Sequence, residues 1–150
     1  MKIAILEDHE PLMEALCETV RSLEPSAEVV GCTRWDELES MLGLLAIDLI
    51  LMDMRLDECL GIEIIPRIHE LSPDSRIVVV SAFMDQDLLL RSLNLKIDGF
   101  LSKWAPMEQF SLGLAAVLQG ESRFDDPLPG RRSAAPIAVQ GGHAQPVSPL

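Results

Sequence analysis

Short apolar runs alternate along this chain with longer segments in which apolar residues recur at the spacing of a helix face. The runs LILM at residues 49–52 and IVVV at residues 77–80 are continuously apolar, which is typical of parallel strands covered on both faces. We predict five strands, which are Lys2–Glu7, Glu28–Cys32, Asp48–Asp53, Arg76–Ser81 and Asp98–Ser102.

Five helices are predicted between and after these strands. In the first, Leu12, Leu16, Val20 and Leu23 recur at intervals of three or four residues. The others are expected from about Trp35 to Leu45, from Gly61 to Leu71, from about Asp85 to Leu95 and from about Pro106 to Gly120. Because strands alternating with helices form right-handed βαβ units, the predicted fold is α/β: a doubly wound five-stranded parallel sheet with helices on both faces.

The composition changes near residue 121. Residues 122–150 hold five of the ten prolines and three of the nine glycines, but only one aromatic residue, Phe124. No apolar period of a helix or strand continues through this stretch, as is usual for a linker. We therefore expect one domain over residues 1–121 and a disordered tail or linker over residues 122–150.

Charge and cysteine content exclude several function classes. The formal net charge is -12, with 12 basic residues, so we expect no nucleic-acid binding through this chain, because such a surface must neutralise phosphates. No apolar run reaches the roughly 18 residues of a membrane span, and the N-terminus lacks a signal-peptide layout. Three scattered cysteines without C-x-x-C spacing argue against disulfides and zinc. We expect a cytoplasmic protein.

Polar side chains follow or close four of the five predicted strands. Glu7 and Asp8 close the first, Asp53 the third and Ser81 the fourth, and Lys103 directly follows the fifth. Because the carboxyl ends of parallel strands lie at one edge of a sheet, these five residues are expected to converge there.

The chemistry of such a group is consistent. Three neighbouring carboxylates repel one another, and Mg²⁺, which prefers oxygen ligands, relieves that repulsion. A carboxylate can also attack phosphorus and form an acyl phosphate. Phosphoryl transfer then requires positioning and charge neutralisation, for which Lys103 offers an ammonium and Ser81 a hydroxyl donor.

As a set, these residues resemble the receiver domains of bacterial two-component response regulators, which have a flavodoxin/CheY-like fold. The likeness extends from residue 2 to about residue 121. The segments LEDHEPL, LILMDMRL, VVVSA and GFLSK are similar to receivers that precede a LuxR/FixJ/NarL-type helix-turn-helix domain, although residues 122–150 contain no helix-turn-helix pattern.

The resemblance implies a phosphoprotein and not a turnover enzyme. Asp53 would accept a phosphoryl group from a histidine kinase, with Mg²⁺-dependent self-phosphorylation and self-dephosphorylation. Asp8 would bind Mg²⁺ directly, Glu7 nearby or through water, and the backbone carbonyl of Arg55 would be a further ligand.

The resemblance also implies a switch. Ser81 and Lys103 would bind the phosphoryl group, and Phe100 takes the place of an aromatic residue that moves inward when Ser81 is drawn to the phosphate. The surface of the fourth helix, fifth strand and fifth helix would then change. This change would control a downstream protein, a phosphotransfer partner or a homodimer.

A docking surface for the kinase is implied by the same family. There a helical hairpin of the kinase contacts the first helix and the loop after the fifth strand. In this chain that surface would join Trp104 and Pro106 to Met13 and Cys17.

The sequence departs from the family in two loops, and two other functions stay open. Residues 56–61 (LDECLG) lack the proline common after the phosphoacceptor, and Trp104 replaces a proline that often follows the lysine. A degenerate receiver would act only as an interaction module. A haloacid-dehalogenase-like phosphatase would use Asp8, but Asp8-His9-Glu10 copies its D-x-D signature poorly.

Overall fold

The computed structural model describes residues 1–82 and 91–125. Six strands lie within these residues, and they are β1 (Lys2–Leu6), β2 (Glu28–Cys32), β3 (Leu49–Met52), β4 (Arg76–Ser81), β5 (Gly99–Ser102) and β6 (Arg123–Phe124). All are paired in parallel in one sheet of order β2-β1-β3-β4-β5-β6. The predicted doubly wound parallel fold is confirmed, with one strand more than expected.

The helices pack on both faces of this sheet. Their bounds are α1 (Glu10–Leu23), α2 (Trp35–Leu42), α3 (Gly61–Leu71) and α5 (Met107–Leu118), and residues 91–94 are helical and are labelled α4. Residues 83–90, which hold most of the predicted fourth helix, lie outside the described residues. None of the described helices combines the length and the apolar character that a bilayer crossing requires.

Alternate strand residues supply two separate cores. Ile5, Leu51 and Val80 face α1 and α5, whereas Leu6, Met52 and Val79 face α2 and α3. Because both faces are covered, every residue of β3 and β5 is buried. The continuous apolar runs of the sequence reflect this double burial.

The C-terminal end of α5 turns the chain back along the sheet. Gly120, which directly follows the C-cap residue Gln119, has φ +97, a left-handed conformation that favours glycine. The Gly120 N–H donates to Val117 O and the Glu121 N–H to Ala116 O, which together form a Schellman motif. Residues 121–125 are thereby directed towards the edge of β5.

The predicted boundary between the domain and its tail, at residue 121, is therefore too early. Residues 122–125 were predicted to belong to it, but Arg123 pairs with Gly99 and Phe124 with Phe100 in the sheet. A two-residue strand leaves no periodic pattern, so only its tertiary partners reveal it. Residues 126–150 lie outside the described residues.

Candidate functional site

Backbone hydrogen bonds extend the sheet beyond its strands at the carboxyl edge. The Glu7 N–H donates to Cys32 O, the Asp53 N–H to Leu6 O and the Lys103 N–H to Ser81 O. Each bond fixes the first residue after a strand. The side chains of Glu7, Asp53 and Lys103 therefore start from rigid backbone and not from a free loop.

Lys103 lies between two carboxylates. Its Nζ is 2.5 Å from Glu7 Oε1 and 3.0 Å from Asp53 Oδ2. The three side chains are largely buried, with exposed fractions of 16% for Lys103, 4% for Glu7 and 11% for Asp53. Charges so poorly hydrated must be paired, and one ammonium serves two acids here.

Asp53 is the centre of this group. Its Oδ1 accepts hydrogen bonds from the Ser81 hydroxyl at 3.1 Å and from the Arg55 backbone N–H at 3.1 Å. Its Oδ2 accepts from Lys103. The predicted convergence of Asp53, Ser81 and Lys103 is therefore present, and Arg55 approaches Asp53 through its N–H.

Three acids gather where a metal was expected. Carboxylate oxygens of Glu7, Asp8 and Asp53 all lie within 4.8 Å of one another. Burial raises the pKa of Glu7 and the charge of Asp53 adds to it, while the hydrogen bond and charge of Lys103 oppose it. The pKa of Lys103 is also raised: burial disfavours the ammonium, but its contacts with Glu7 and Asp53 outweigh burial. The cluster thus places three carboxyl groups around the ammonium of Lys103. Carboxylate oxygens are ligands that Mg²⁺ prefers, so this donor set fits that ion.

Asp8 links the site to the loop after β3. Its Oδ2 accepts a hydrogen bond of 2.5 Å from the Asp57 N–H. In the same loop Glu58 Oε1 accepts from the Trp35 N–H at the start of α2, 2.8 Å away. The sequence revealed only that this loop departs from the family pattern, because the partners of Asp57 and Glu58 are 49 and 23 residues away along the chain.

Phe100 is buried in the core on the side of α2 and α3, with 1% of its surface exposed. It pairs in register with Val79, two residues before Ser81, so both lie on strands that end at the site. The inward position and the Ser81–Asp53 hydrogen bond occur together in this structure.

The expected docking residues differ in exposure. Trp104 is 58% exposed, Pro106 is exposed, and Met13 is half-buried. Cys17 is 4% exposed and belongs to the core of α1 and α5. The expectation for Cys17 is therefore corrected: a partner cannot reach its thiol, because that position of α1 faces the sheet.

Asp125 is a residue near the site that sequence reasoning did not identify. Its Oδ2 accepts a hydrogen bond from the Ser102 N–H at 2.9 Å, one residue before Lys103. The only signal in the sequence was Phe124, the single aromatic residue of the region assigned to the tail.

Comparison with known proteins gives one family. A family model described as a response regulator receiver domain matches residues 3–112. A glycerol metabolism activator of Pseudomonas putida is 28% identical over 120 residues, which cover 79% of this chain and 54% of that protein. The response regulator protein VraR of Staphylococcus epidermidis is 25% identical over 133 residues, covering 83% and 60% respectively. The chain thus spans little more than half the length of these curated relatives.

Solved structures share the fold. The isolated REC domain of RcsB from Salmonella enterica serovar Typhimurium, determined with the phosphomimetic BeF3-, superposes with a TM-score of 0.74 at 21% identity. The match covers 85% of this chain and 94% of that one. At this identity the likeness concerns the arrangement of the backbone.

Proposed function

This chain belongs to the response regulator receiver domain family, and on that premise we propose that it accepts a phosphoryl group on Asp53 from a histidine kinase. The observation that carries the proposal is the environment of Asp53. Its carboxylate touches the ammonium of Lys103 and the hydroxyl of Ser81, and Glu7 and Asp8 lie beside it. A nucleophile, two groups for phosphoryl oxygens and a set of cation ligands thus occupy one edge of the sheet.

The proposed reaction is a single displacement. A carboxylate oxygen of Asp53 attacks the donor phosphorus, and the bond from that phosphorus to the leaving group breaks. The electron pair stays with the leaving group, an imidazole nitrogen of the kinase or the acetate of acetyl phosphate. Lys103 neutralises one phosphoryl oxygen and the Ser81 hydroxyl donates to another.

Glu7, Asp8 and Asp53 would hold Mg²⁺, with the backbone carbonyl of Arg55 proposed as a further ligand. When bound, the ion neutralises charge on the phosphoryl oxygens. Without Mg²⁺, the added phosphoryl charge would be repelled by the carboxylates of Glu7 and Asp8. Lys103 alone cannot offset that charge, so we expect labelling to depend on Mg²⁺.

Phosphorylation is proposed to act through Ser81 and Phe100 on the surface of α4, β5 and α5. Ser81 ends β4 and Phe100 lies in β5, so a change at the hydroxyl reaches that surface within two adjacent strands. The proposed output is control of a downstream protein, of a phosphotransfer partner or of self-association. With the -12 charge of the chain, we propose no nucleic-acid contact through it. The proposed setting is the cytoplasm.

Incubation with acetyl phosphate and Mg²⁺, followed by intact mass measurement, tests this function. We expect one added phosphoryl group in the wild type and none in Asp53→Asn. Asp57→Asn is the matched control, since Asp57 lies four residues away in the same loop and should leave labelling intact. Labelling of Asp53→Asn at the wild-type level would refute the assignment. Absence of labelling in a folded wild type would favour a phosphorylation-independent interaction module.

A further inference from the structure

The edge of β5 is occupied by residues of the same chain. Arg123 and Phe124 pair in parallel with Gly99 and Phe100. The Asp125 N–H donates to Phe100 O at 2.8 Å, and Asp125 Oδ2 accepts from the Ser102 N–H at 2.9 Å. β6 and the residue after it therefore bond to the backbone of β5, with Asp125 reaching it on both sides of Leu101.

Side chains fit the two strands together. Phe124 packs against the core cluster that contains Phe100. Gly99 has no side chain where β6 approaches most closely, and an added Cβ would lie 2.7 Å from Arg123 O. The approach is thus built into the sequence of β5.

Hydrogen bonds from Arg76 fix the start of the segment that leads from α5 to β6. The Arg76 guanidinium, at the start of β4, donates to Val117 O at 2.8 Å and to Glu121 O at 2.7 Å. It joins the last turn of α5 and the first residue after Gly120 to the sheet. The segment Glu121–Asp125 is therefore anchored at both ends.

The contacts of β6 end beside the proposed phosphorylation site. Ser102, which donates to Asp125, precedes Lys103, and the Lys103 N–H donates to Ser81 O. Both Lys103 and Ser81 contact Asp53 through their side chains. A phosphoryl group bound by Lys103 and Ser81 would therefore also restrain the backbone at Ser102, to which Asp125 is bonded.

We propose that β6 is a state-dependent segment, whose docking on β5 is strengthened when Asp53 is phosphorylated. A phosphoryl group that anchors Lys103 and Ser81 reduces the freedom of the end of β5, so less entropy is lost when β6 docks. Coupling between two sites is reciprocal, so a docked β6 must favour the phosphorylated form equally. While docked, β6 denies the β5 edge to a second copy or another partner. The inference rests on the proposed function of Asp53.

The test uses the full chain with Mg²⁺ and beryllofluoride as the phosphoryl analogue. Residue-resolved amide hydrogen exchange reports docking at the Asp125 and Ser102 N–H groups. We expect the analogue to slow exchange at both about fivefold or more, which is the range of ordinary coupling between sites. It should have no such effect in Asp53→Asn.

Variants test the reverse direction. Gly99→Ala should undock β6 and weaken beryllofluoride affinity by a similar factor, whereas Gly43→Ala, where a Cβ meets nothing closer than 3.7 Å, should not. If Gly99→Ala fails to fold, Asp125→Ala removes the bond to Ser102 and serves the same purpose.

The outcomes separate the two proposals. If wild type binds beryllofluoride through Asp53 but exchange at Asp125 is unchanged or faster, the state-dependent segment is refuted and the phosphoacceptor stands. If the variants bind it as tightly as wild type, the coupling is likewise refuted. If wild type does not bind it and Asp53 takes no phosphoryl group, the proposed function fails and this inference fails with it.

Discussion

The Asp8 carboxylate accepts a hydrogen bond from the backbone N–H of Asp57, with 2.5 Å between the atoms. One acid thus serves both the carboxylate cluster and the loop that follows Asp53. A cation bound to the cluster would hold that loop through Asp8, so metal binding should stabilise more of the chain than its direct ligands.

We expect Mg²⁺ to raise the melting temperature of the wild type, because a ligand that binds only the native state adds about 3 kcal/mol at one hundred times its dissociation constant. Asp8→Asn should lose most of this gain. Thermal unfolding with and without Mg²⁺ measures it. Asp74→Asn, at an exposed turn between α3 and β4, is the matched control and should respond like wild type. A metal-independent melting temperature in wild type would count against the site.

Replacing Lys103 should destabilise the fold in the absence of metal. Lys103→Gln leaves Glu7 and Asp53 buried without their shared cation, and breaking a buried ion pair costs on the order of 3 kcal/mol. Mg²⁺ should restore part of this loss, so the variant should depend on the ion more than wild type does. Urea unfolding at several Mg²⁺ concentrations measures both effects.

Lys2→Gln provides the comparison for Lys103→Gln. It removes an ion pair with Glu28 in which both partners are well exposed, and such pairs contribute little. Equal losses in the two variants would mean that burial of the Lys103 pairs has no energetic effect.

Trp104 is the proposed anchor for the kinase. Its ring is exposed beside the site, and truncating such an anchor commonly costs 2 kcal/mol or more, about thirtyfold in affinity. Trp104→Ala should therefore reduce phosphorylation by the kinase, while labelling from acetyl phosphate stays near normal. Leu44→Ala, which truncates another exposed apolar side chain, should change neither. Equal loss from both donors would instead assign Trp104 to support of the site.

Stability should fall at alkaline pH because of Cys32. Burial raises the pKa of its thiol from 9.0 to about 11, and Glu37 adds to the rise. Between these values the unfolded chain loses the proton while the folded chain keeps it. The free energy of unfolding therefore decreases as pH rises through this window, by up to about 3 kcal/mol.

Cys32→Val should flatten that part of the pH dependence, measured by urea unfolding from pH 8 to about 11. Cys59→Val is the matched control, because Cys59 is only partly buried and its pKa is raised less strongly. The same steep decline in Cys32→Val and wild type would assign the alkaline loss to other groups.

The features that could be predicted from the sequence are those that depend on patterns extending over many residues. Strands β1, β3 and β4 were found because both faces of their part of the sheet are covered, which makes their apolar runs continuous. The grouping of Asp8, Asp53 and Lys103 followed from the rule that parallel strands end together. Both predictions needed only chain order and residue type.

The remaining features depend on particular tertiary contacts. β6 is two residues long, so its position follows from Gly99 and the turn at Gly120 and not from a period. Cys17 was expected at the surface, but it is buried beside Leu16 and Val20, so the buried face of α1 is wider than the stripe through Leu16 and Val20. The roles of Asp57 and Glu58 likewise depend on partners distant in sequence.

The short length of β6 has a consequence for aggregation. β5 is apolar and fully buried, and without β6 its outer backbone groups would be an open template for strands of other chains. β6 covers this edge with two residues, one of which is the charged Arg123, and the charged Asp125 follows it, which makes further strand addition unfavourable. At the opposite edge, β2 begins with the charged Glu28. A chain cut before Arg123 loses the Phe124 contact with the core but keeps β1 to β5, so it should self-associate through β5, and its precipitation would report an uncovered edge.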